Sequence, residues 1–516
     1  MLSLCCSRAK AAIALLFEAG RLAEFVKREL PGSNGRKSLS GVVIGTLVFL
    51  CSLTASADEW YRGCLHAHTA WSDGRELPEL AVKTYKDLGY NFVAVTDHDT
   101  LMRQTASARY TGLAESTAWM PSTSTARDWT PASISAASIS KAARTFGSDW
   151  NVTTGSGSDI KVKLKTFDEI NARLGEAGKF LMMEGEEITT HVYSEDGTLK
   201  RVHINAINPG EEISPIFPAK GTSVVSTIRQ NLASITSQAA RTGRPILAQI
   251  NHPNWPNYDI SPQDLGQATD AQFFELANEC GDNLNAGNAT HPNTQKMWDI
   301  ANTIRIGRLG KNPLFATATD DAHFYNNDGG SSAPCAPGIG WVSVRANSLT
   351  TSSVLDAMNR GDFYASTGVD LRDVSFASNV LNVEVAPEDG VSYTIDFVGT
   401  RKGVDPDKKA DGTYSDAIGE VLASVTGTHA RYMMTGDELY VRAVIHSSKI
   451  MTLSPWDETP YEQAWTQPVT YVVPEPGVLA MVGIGCVCVG FWTYRRRLAM
   501  GLGNTRKLET CSAASF

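Results

Sequence analysis

The sequence predicts an α/β fold, a barrel of strands alternating with helices, followed by a small all-β domain. Three observations carry that reading. From Trp60 to about Gly368, short apolar segments recur with helical stretches between them, and strands alternating with helices imply parallel pairing. Seven or eight such repeats favour a closed barrel over an open sheet. After about residue 370 the pattern turns to polar–apolar alternation broken by Gly/Asp-rich turns, which reads as antiparallel strands. At 516 residues the chain has material for two or three domains and a large core.

Residues 1–57 read as a leader. Arg36 and Lys37 precede the apolar run "VVIGTLVFLCSL" (42–53), and "ASA" (55–57) offers a small-residue cleavage site before Asp58, the three parts of a secretory signal. The residues ahead of them read as a short amphipathic helix or as an early start. The barrel region spans 58–368. Its strand candidates are "YRGCLHA", "NFVAVTD", "KFLMMEGEEI", "VHINAIN", "PILAQINH", "QFFELAN", "LFATATD" and "IGWVSVRA". Between the first two, "ELPELAVKTYKDLG" sets Leu77, Leu80, Ala81 and Leu88 at helical spacing and stops at Gly89. Ahead of the third, "TFDE" predicts a capping box, with Thr166 the cap and Glu169 three residues on.

Residues 103–160 interrupt the rhythm. Thirty of these 58 are Ser, Thr or Ala, so the segment is expected to hold little core, as a surface insertion or a lid. Residues 369–472, with "LNVEVAP", "SYTIDFVG" and "ELYVRAVI", predict an antiparallel β domain, a sandwich. Its "DPDKKADG" loop misses the spacing of a twelve-residue calcium loop and reads as an acidic turn. At the end, Pro474-Glu475-Pro476 leads into the apolar run 477–494 and then Arg495, Arg496 and Arg497. Eighteen such residues just span a bilayer, with the Arg triplet cytoplasmic. The order (474–497, with a tail at 498–516) resembles the PEP-CTERM sorting signal of bacterial exported proteins. That resemblance implies a sorting protease and a cell-envelope or extracellular location. A plain membrane anchor is the alternative.

Charge and cysteines narrow the classes. A net charge of −9 argues against a broad nucleic-acid-binding surface, so no stable nucleic-acid partner is expected. Nine cysteines suggest a disulfide framework, but Cys5, Cys6 and Cys51 lie in the leader and Cys486, Cys488 and Cys511 in the tail. Cys64, Cys280 and Cys335 remain, enough for one bridge at most. Cys64 shares strand parity with His66 and His68 and reads as a small buried residue.

The chemistry begins at "CLHAHTAWSDG" (64–74). Residues two apart on a strand share a face, so His66 and His68 aim two imidazoles at one place, with Asp73 in the following turn. Further candidates close other strands: His98 in "VTDHD", Glu187 in "EGEEIT", His252 in "INHPNW", and Asp321 with His323 in "TDDAH". His203 opens "HINAIN" instead, the one candidate at the head of its strand. In a parallel barrel, strand ends gather around one mouth. Crowding Asp73, Glu187 and Asp321 there costs several kcal/mol per ion unless cations compensate them. Imidazoles and carboxylates without thiolate suit Zn, Mn or Fe. All nine candidates precede residue 370, so the β domain is expected to be dispensable for the chemistry.

The motifs "HAH…SDG", "TDHD", "GEE", the His of "HINA", "HP" and "DAH", in that order, resemble the PHP family of polymerase and histidinol phosphatase domains. The resemblance covers residues 62 to about 368. It implies a distorted (β/α)7 barrel carrying two or three divalent metals and hydrolysing phosphoesters. By motif, His66, His68, Glu187 and Asp321 would bind one metal. Glu187 would bridge to a second held by His203 and His252, and Asp73, His98 and His323 would form the third position. Three-metal members often carry His where this chain has Asp73. Glu186 is a rival for Glu187, and His191 for His203. His291, His429 and His446 stand outside the motifs.

A metal-bridging hydroxide is the expected nucleophile, with Asp73, His98 and His323 polarising a phosphoryl oxygen or protonating the leaving group. The reading is an exported phosphoesterase acting on a small phosphorylated substrate. A non-catalytic metal-stabilised binding protein and a metal-dependent hydrolase of another bond class are the alternatives.

Overall fold

The computed structural model describes residues 58–103, 119–121, 134–155, 161–280, 283–325, 335–451 and 461–473. The leader and the Pro-Glu-Pro tail, with their export and anchor readings, lie outside the described residues. Among the described residues no helix is long and apolar enough to cross a membrane.

The protein is a mixed α/β molecule built on a large sheet. β1 (Glu59–Cys64) is followed by the helix Pro78–Asp87, which buries Leu80, Ala81, Val82 and Tyr85. β2 (Phe92–Val95) is buried at every residue, as expected of a strand covered on both faces. Three short strands follow, β3 (Trp119–Pro121), β4 (Thr153–Thr154) and β5 (Lys161–Lys163), in a small sheet ordered β3–β5–β4. Thr166 then caps the helix Phe167–Leu174 through the predicted box with Glu169. β6 (Leu181–Tyr193), β7 (Leu199–Ile207), β8 (Leu247–Ile250), β9 (Phe273–Asn278) and β10 (Phe315–Thr319) complete an arc ordered β1–β2–β6–β7–β8–β9–β10. Just past its strands the arc meets itself, where Ala67 bridges Ala322 and the His68 amide donates to the Ala322 carbonyl at 2.9 Å.

The expectation of parallel pairing needs correction. β1–β2, β2–β6, β8–β9 and β9–β10 are parallel, but β7 runs antiparallel to both β6 and β8. The cause is local: residues 194–198 join β6 to β7, too few for a crossover and enough for a hairpin. The head of β7 therefore lies where the parallel strands end. That reversal accounts for His203, the candidate at the wrong end of its strand.

β11 (Trp341–Ala346) pairs antiparallel with β1 and with β12 (Phe363–Ser366). Beyond it lie β13 (Leu371–Ala377), β14 (Val380–Val385), β15 (Tyr393–Arg401), β16 (Glu420–Thr426), β17 (His429–Met433), β18 (Glu438–Ile450) and β19 (Tyr461–Thr466). All their pairings are antiparallel. β13–β14–β17 form one sheet, and the order β12–β19–β18–β15–β16 continues the large sheet without a break. Leu381, Val383, Ile395, Phe397, Val441 and Ala443 share one core there. Val398, Val444 and Trp465 instead join the cluster of Phe274, Trp298 and Leu314. Arg442 on β18 makes a buried, two-pronged ion pair with Asp299 of the helix Thr294–Asn302, at 2.9 and 2.7 Å. The acidic "DPDKKADG" turn pairs Asp405 and Asp407 with Arg308.

The insertion also contributes more than its composition suggests. Ile134 and Ala142, the latter on the helix Ala136–Phe146, are buried in the cluster of Leu80 and Tyr85. Trp150 Nε1 donates to Glu79 Oε1 at 2.9 Å. Small residues suffice here because the neighbouring elements supply the bulk. The rest of 103–160 lies largely outside the described residues.

Candidate metal centre

The structure brings all nine sequence-derived candidates together. His66 and His68 follow β1, His98 follows β2, Glu187 sits in β6, His203 in β7, and His252 follows β8. Asp321 and His323 follow β10, and Asp73 lies in the turn after His68. Gly74 keeps that turn tight, since a Cβ there would stand 2.3 Å from the His68 backbone.

One group is His66, His68, Glu187 and Asp321. The two Nε2 atoms are 3.0 Å apart; Asp321 Oδ1 lies 3.2 and 3.1 Å from them and Glu187 Oε2 3.4 and 3.3 Å. Tetrahedral ligands at about 2.0–2.1 Å from an ion stand about 3.3–3.4 Å from one another. The distances among His66, His68 and Asp321 match that shell, with Glu187 Oε2 close to both histidines. Both carboxylate oxygens are buried yet accept no hydrogen bond among the described residues, at a cost of about 1–3 kcal/mol each or more for an ion. Their spacing, burial and unmet lone pairs fit a divalent cation.

Glu187 turns its other oxygen to a second group. Oε1 lies 3.0 Å from His203 Nδ1 and 3.2 Å from His252 Nε2. The third group is looser: Asp73 Oδ1 is 3.3 Å from His323 Nε2, and Asp73 Oδ2 is 3.6 Å from His98 Nε2. His98 faces two ways, because its Nδ1 is 3.0 Å from Glu187 Oε2 and 2.7 Å from Thr189 Oγ1. The rivals fall away from the cluster. Glu186 is on the opposite face of β6, accepting from the Ile213 amide, and burial pushes its carboxyl well up. His191 lies further out on β6, beyond the pairing of Thr189 with His203.

Charge compensation within the cluster is tight. Burial alone would raise the carboxyls, but His98, His66 and His203 hold Glu187 well below its ordinary range. His66 and His68 do the same for Asp321, and His323 and His98 for Asp73. Against burial, neighbouring carboxylates push His66 and His98 well up and His323 to about 9. Burial takes His203 down to about 4. Divalent ions compete for the same lone pairs as these protons, so metal uptake releases protons.

Sequence reasoning missed the residues that hold the candidate ligands in place. Glu275 is buried in β9, with Oε1 2.6 Å from His66 Nδ1 and Oε2 accepting the His252 amide at 2.8 Å. A carboxylate so placed accepts a hydrogen bond from Nδ1–H and so leaves the Nε2 lone pair for a metal, the usual outer support of a metal-bound histidine. Asn251 donates to Glu187 Oε1 at 2.8 Å and Asn278 to Asp321 Oδ2 at 3.1 Å. A lone Glu inside the apolar "QFFELAN" was the available signal. Glu275→Gln is expected to weaken metal binding about 10–100-fold, read by competition with a chelator of known affinity. Unchanged affinity would show that Glu275 does not set the His66 tautomer.

Among the described residues the cysteines resolve as one bridge and one thiol. Cys280 and Cys335 form a disulfide, and Cys335 O accepts from the His323 amide at 2.9 Å. Cys64 is buried and its thiol is pushed up to about 12, chiefly by burial. No thiolate enters the ligand set.

Fold and site together define a mixed α/β protein with a His/Asp/Glu cluster suited to divalent metal. No family model and no curated protein matches the chain. Among solved structures it is similar to a two-domain protein from Bacteroides vulgatus described as containing a predicted PHP-like metal-dependent phosphoesterase. Identity there is 15% and the TM-score 0.33, over 80% of this chain and 96% of that one. A candidate metal-dependent phosphoesterase from Bifidobacterium adolescentis gives 14% and 0.26, over 58% of this chain and 96% of that one.

Proposed function

We propose that the protein is an exported metal-dependent phosphoesterase that hydrolyses phosphate mono- or diesters on a distorted (β/α)7 barrel. The observation that carries the reading is Glu187, whose two oxygens serve two adjoining groups of histidines. Divalent ions in such a site lower the pKa of water and offset charge on phosphoryl oxygens. Glu187 fixes the spacing of the two positions, and Glu275 fixes the ring of His66. Asp73 and His323 are the most open members, with side chains 23% and 18% exposed. On that open side His323 is placed to polarise a phosphoryl oxygen. The Cys280–Cys335 bridge supports export, because such bonds persist in oxidising compartments. The membrane tail and a sorting protease belong to the same proposal.

The test is a screen of residues 58–473, reconstituted with Zn, Mn or Fe, against nucleotides, sugar phosphates, cyclic phosphates and chromogenic mono- and diesters. Metal-dependent release of phosphate or alcohol is the expected result. Cleavage of amides alone would move the chain to another bond class. Bound metal without turnover of either would leave a binding protein.

A further inference from the structure

The β6–β7 hairpin stands beyond the metal cluster and exposes a face that the proposed chemistry does not use. Register pairs Thr189 with His203, His191 with Arg201 and Tyr193 with Leu199. With a period of two, these six side chains share one face, and the contact of Thr189 Oγ1 with His98 turns that face to the cluster. The opposite face is core, where Ile188, Val202 and Ile204 are buried. Along the cluster side, cover thins from buried His203 to Arg201, whose side chain is 31% exposed, and Tyr193, 46% exposed.

Trp255 joins this wall. Its ring packs 5.3 Å from His203 and 5.0 Å from His252, and the Arg201 guanidinium lies 5.4 Å from its centre. Arg201 shares the buried carboxylate of Asp259 with Lys200, whose side chain starts from the other face of β7, at 3.5 Å each, so that anion is not Arg201's alone. A guanidinium over an aromatic face beside a half-shared carboxylate is a ready partner for a planar anion.

We propose that Arg201 and Trp255 form a leaving-group subsite for a phosphate ester whose alcohol part is a flat ring bearing a second anionic group. The inference rests on the cluster taking the phosphoryl group. The ester then lies with its phosphoryl on the His/Asp/Glu groups and its ring against Trp255. The second anion meets Arg201, outward of His203 on the same face. Small aliphatic phosphates reach the cluster but leave the wall unused.

Non-hydrolysable phosphonates test this without turnover. Calorimetry on the Zn²⁺-reconstituted protein would compare methylphosphonate, phenylphosphonate and 4-carboxyphenylphosphonate. The carboxyphenyl compound is expected to bind about tenfold tighter than phenylphosphonate, as for one charge-assisted contact. Phenylphosphonate in turn should exceed methylphosphonate. Arg201→Gln should bring the carboxyphenyl-to-phenyl ratio to within about threefold while leaving the phenyl-to-methyl ratio unchanged. Equal binding of all three, or an Arg201→Gln loss that is the same for each, would overturn the subsite. Hydrolysis of the matching phosphate esters is followed in parallel. Turnover without discrimination overturns the subsite alone; discrimination without turnover overturns the phosphoesterase reading alone.

Discussion

Glu187→Gln is expected to cost more than about a hundredfold in bound metal and in turnover, beyond the 10–100-fold typical of an outer-sphere change. The substitution keeps shape and removes charge. Glu187 Oε2 faces His66 and His68, and Oε1 faces His203 and His252, so one amide disturbs two positions at once. An amide nitrogen cannot accept, and whichever way it turns, one group loses its oxygen. Asp73→Asn should be milder, because Asp73 stands 3.3 to 3.6 Å from His323, His98 and His68 and is partly solvated. His429→Ala is the control: it lies on β17 against Glu384, far from the ligands in the fold, and should change neither metal nor rate. Elemental analysis alongside turnover of the best substrate checks all three. Full metal content in the Glu187 variant would end the shared-carboxylate reading.

Much of this candidate site was legible because its residues obey local rules. His66 and His68 share a face by strand periodicity alone, and a sharp turn at Gly74 brings Asp73 back to His68. What sequence could not give was direction and support. His203 looked misplaced until the short link 194–198 showed that β7 is reversed. Glu275 looked like one polar residue in an apolar strand, and its value depends on His66, 209 positions away. Asn251 and Asn278 carry no motif at all, since they act by hydrogen bonds whose partners only the fold supplies.

The β region shows the same limit at larger scale. Alternation identified its strands, yet nothing local shows that Tyr364–Ser366 pairs with Ala464–Thr466, about a hundred residues on. That pairing makes one sheet of what read as two domains. Gln467 also bonds both the amide and the carbonyl of Ala316 on β10, at 2.9 Å each. The separation of ligands from β strands in sequence therefore does not imply separability in the folded chain.

Arg442 is where that dependence is strongest, and Arg442→Met is expected to destabilise the protein by about 3–5 kcal/mol. The guanidinium and the Asp299 carboxylate are both buried, with side chains 2% and 3% exposed. Removing the cation leaves Asp299 with the Tyr440 hydroxyl at 2.8 Å as its remaining side-chain partner, and a buried carboxylate so left costs far more than a lost surface pair. Replacing both partners, as Asp299→Leu with Arg442→Met, should recover part of the loss, because no charge then stays buried. A chain ending at Gly368 combines both injuries. It strands Asp299 and bares the β12 edge that β19 covers, so insoluble protein is expected rather than a leaner enzyme. Urea unfolding of the metal-loaded single and double variants measures the effect as a shift in midpoint at constant slope. A midpoint unmoved by Arg442→Met, with a soluble, metal-binding chain ending at Gly368, would show that the large sheet does not need its β12–β19 seam.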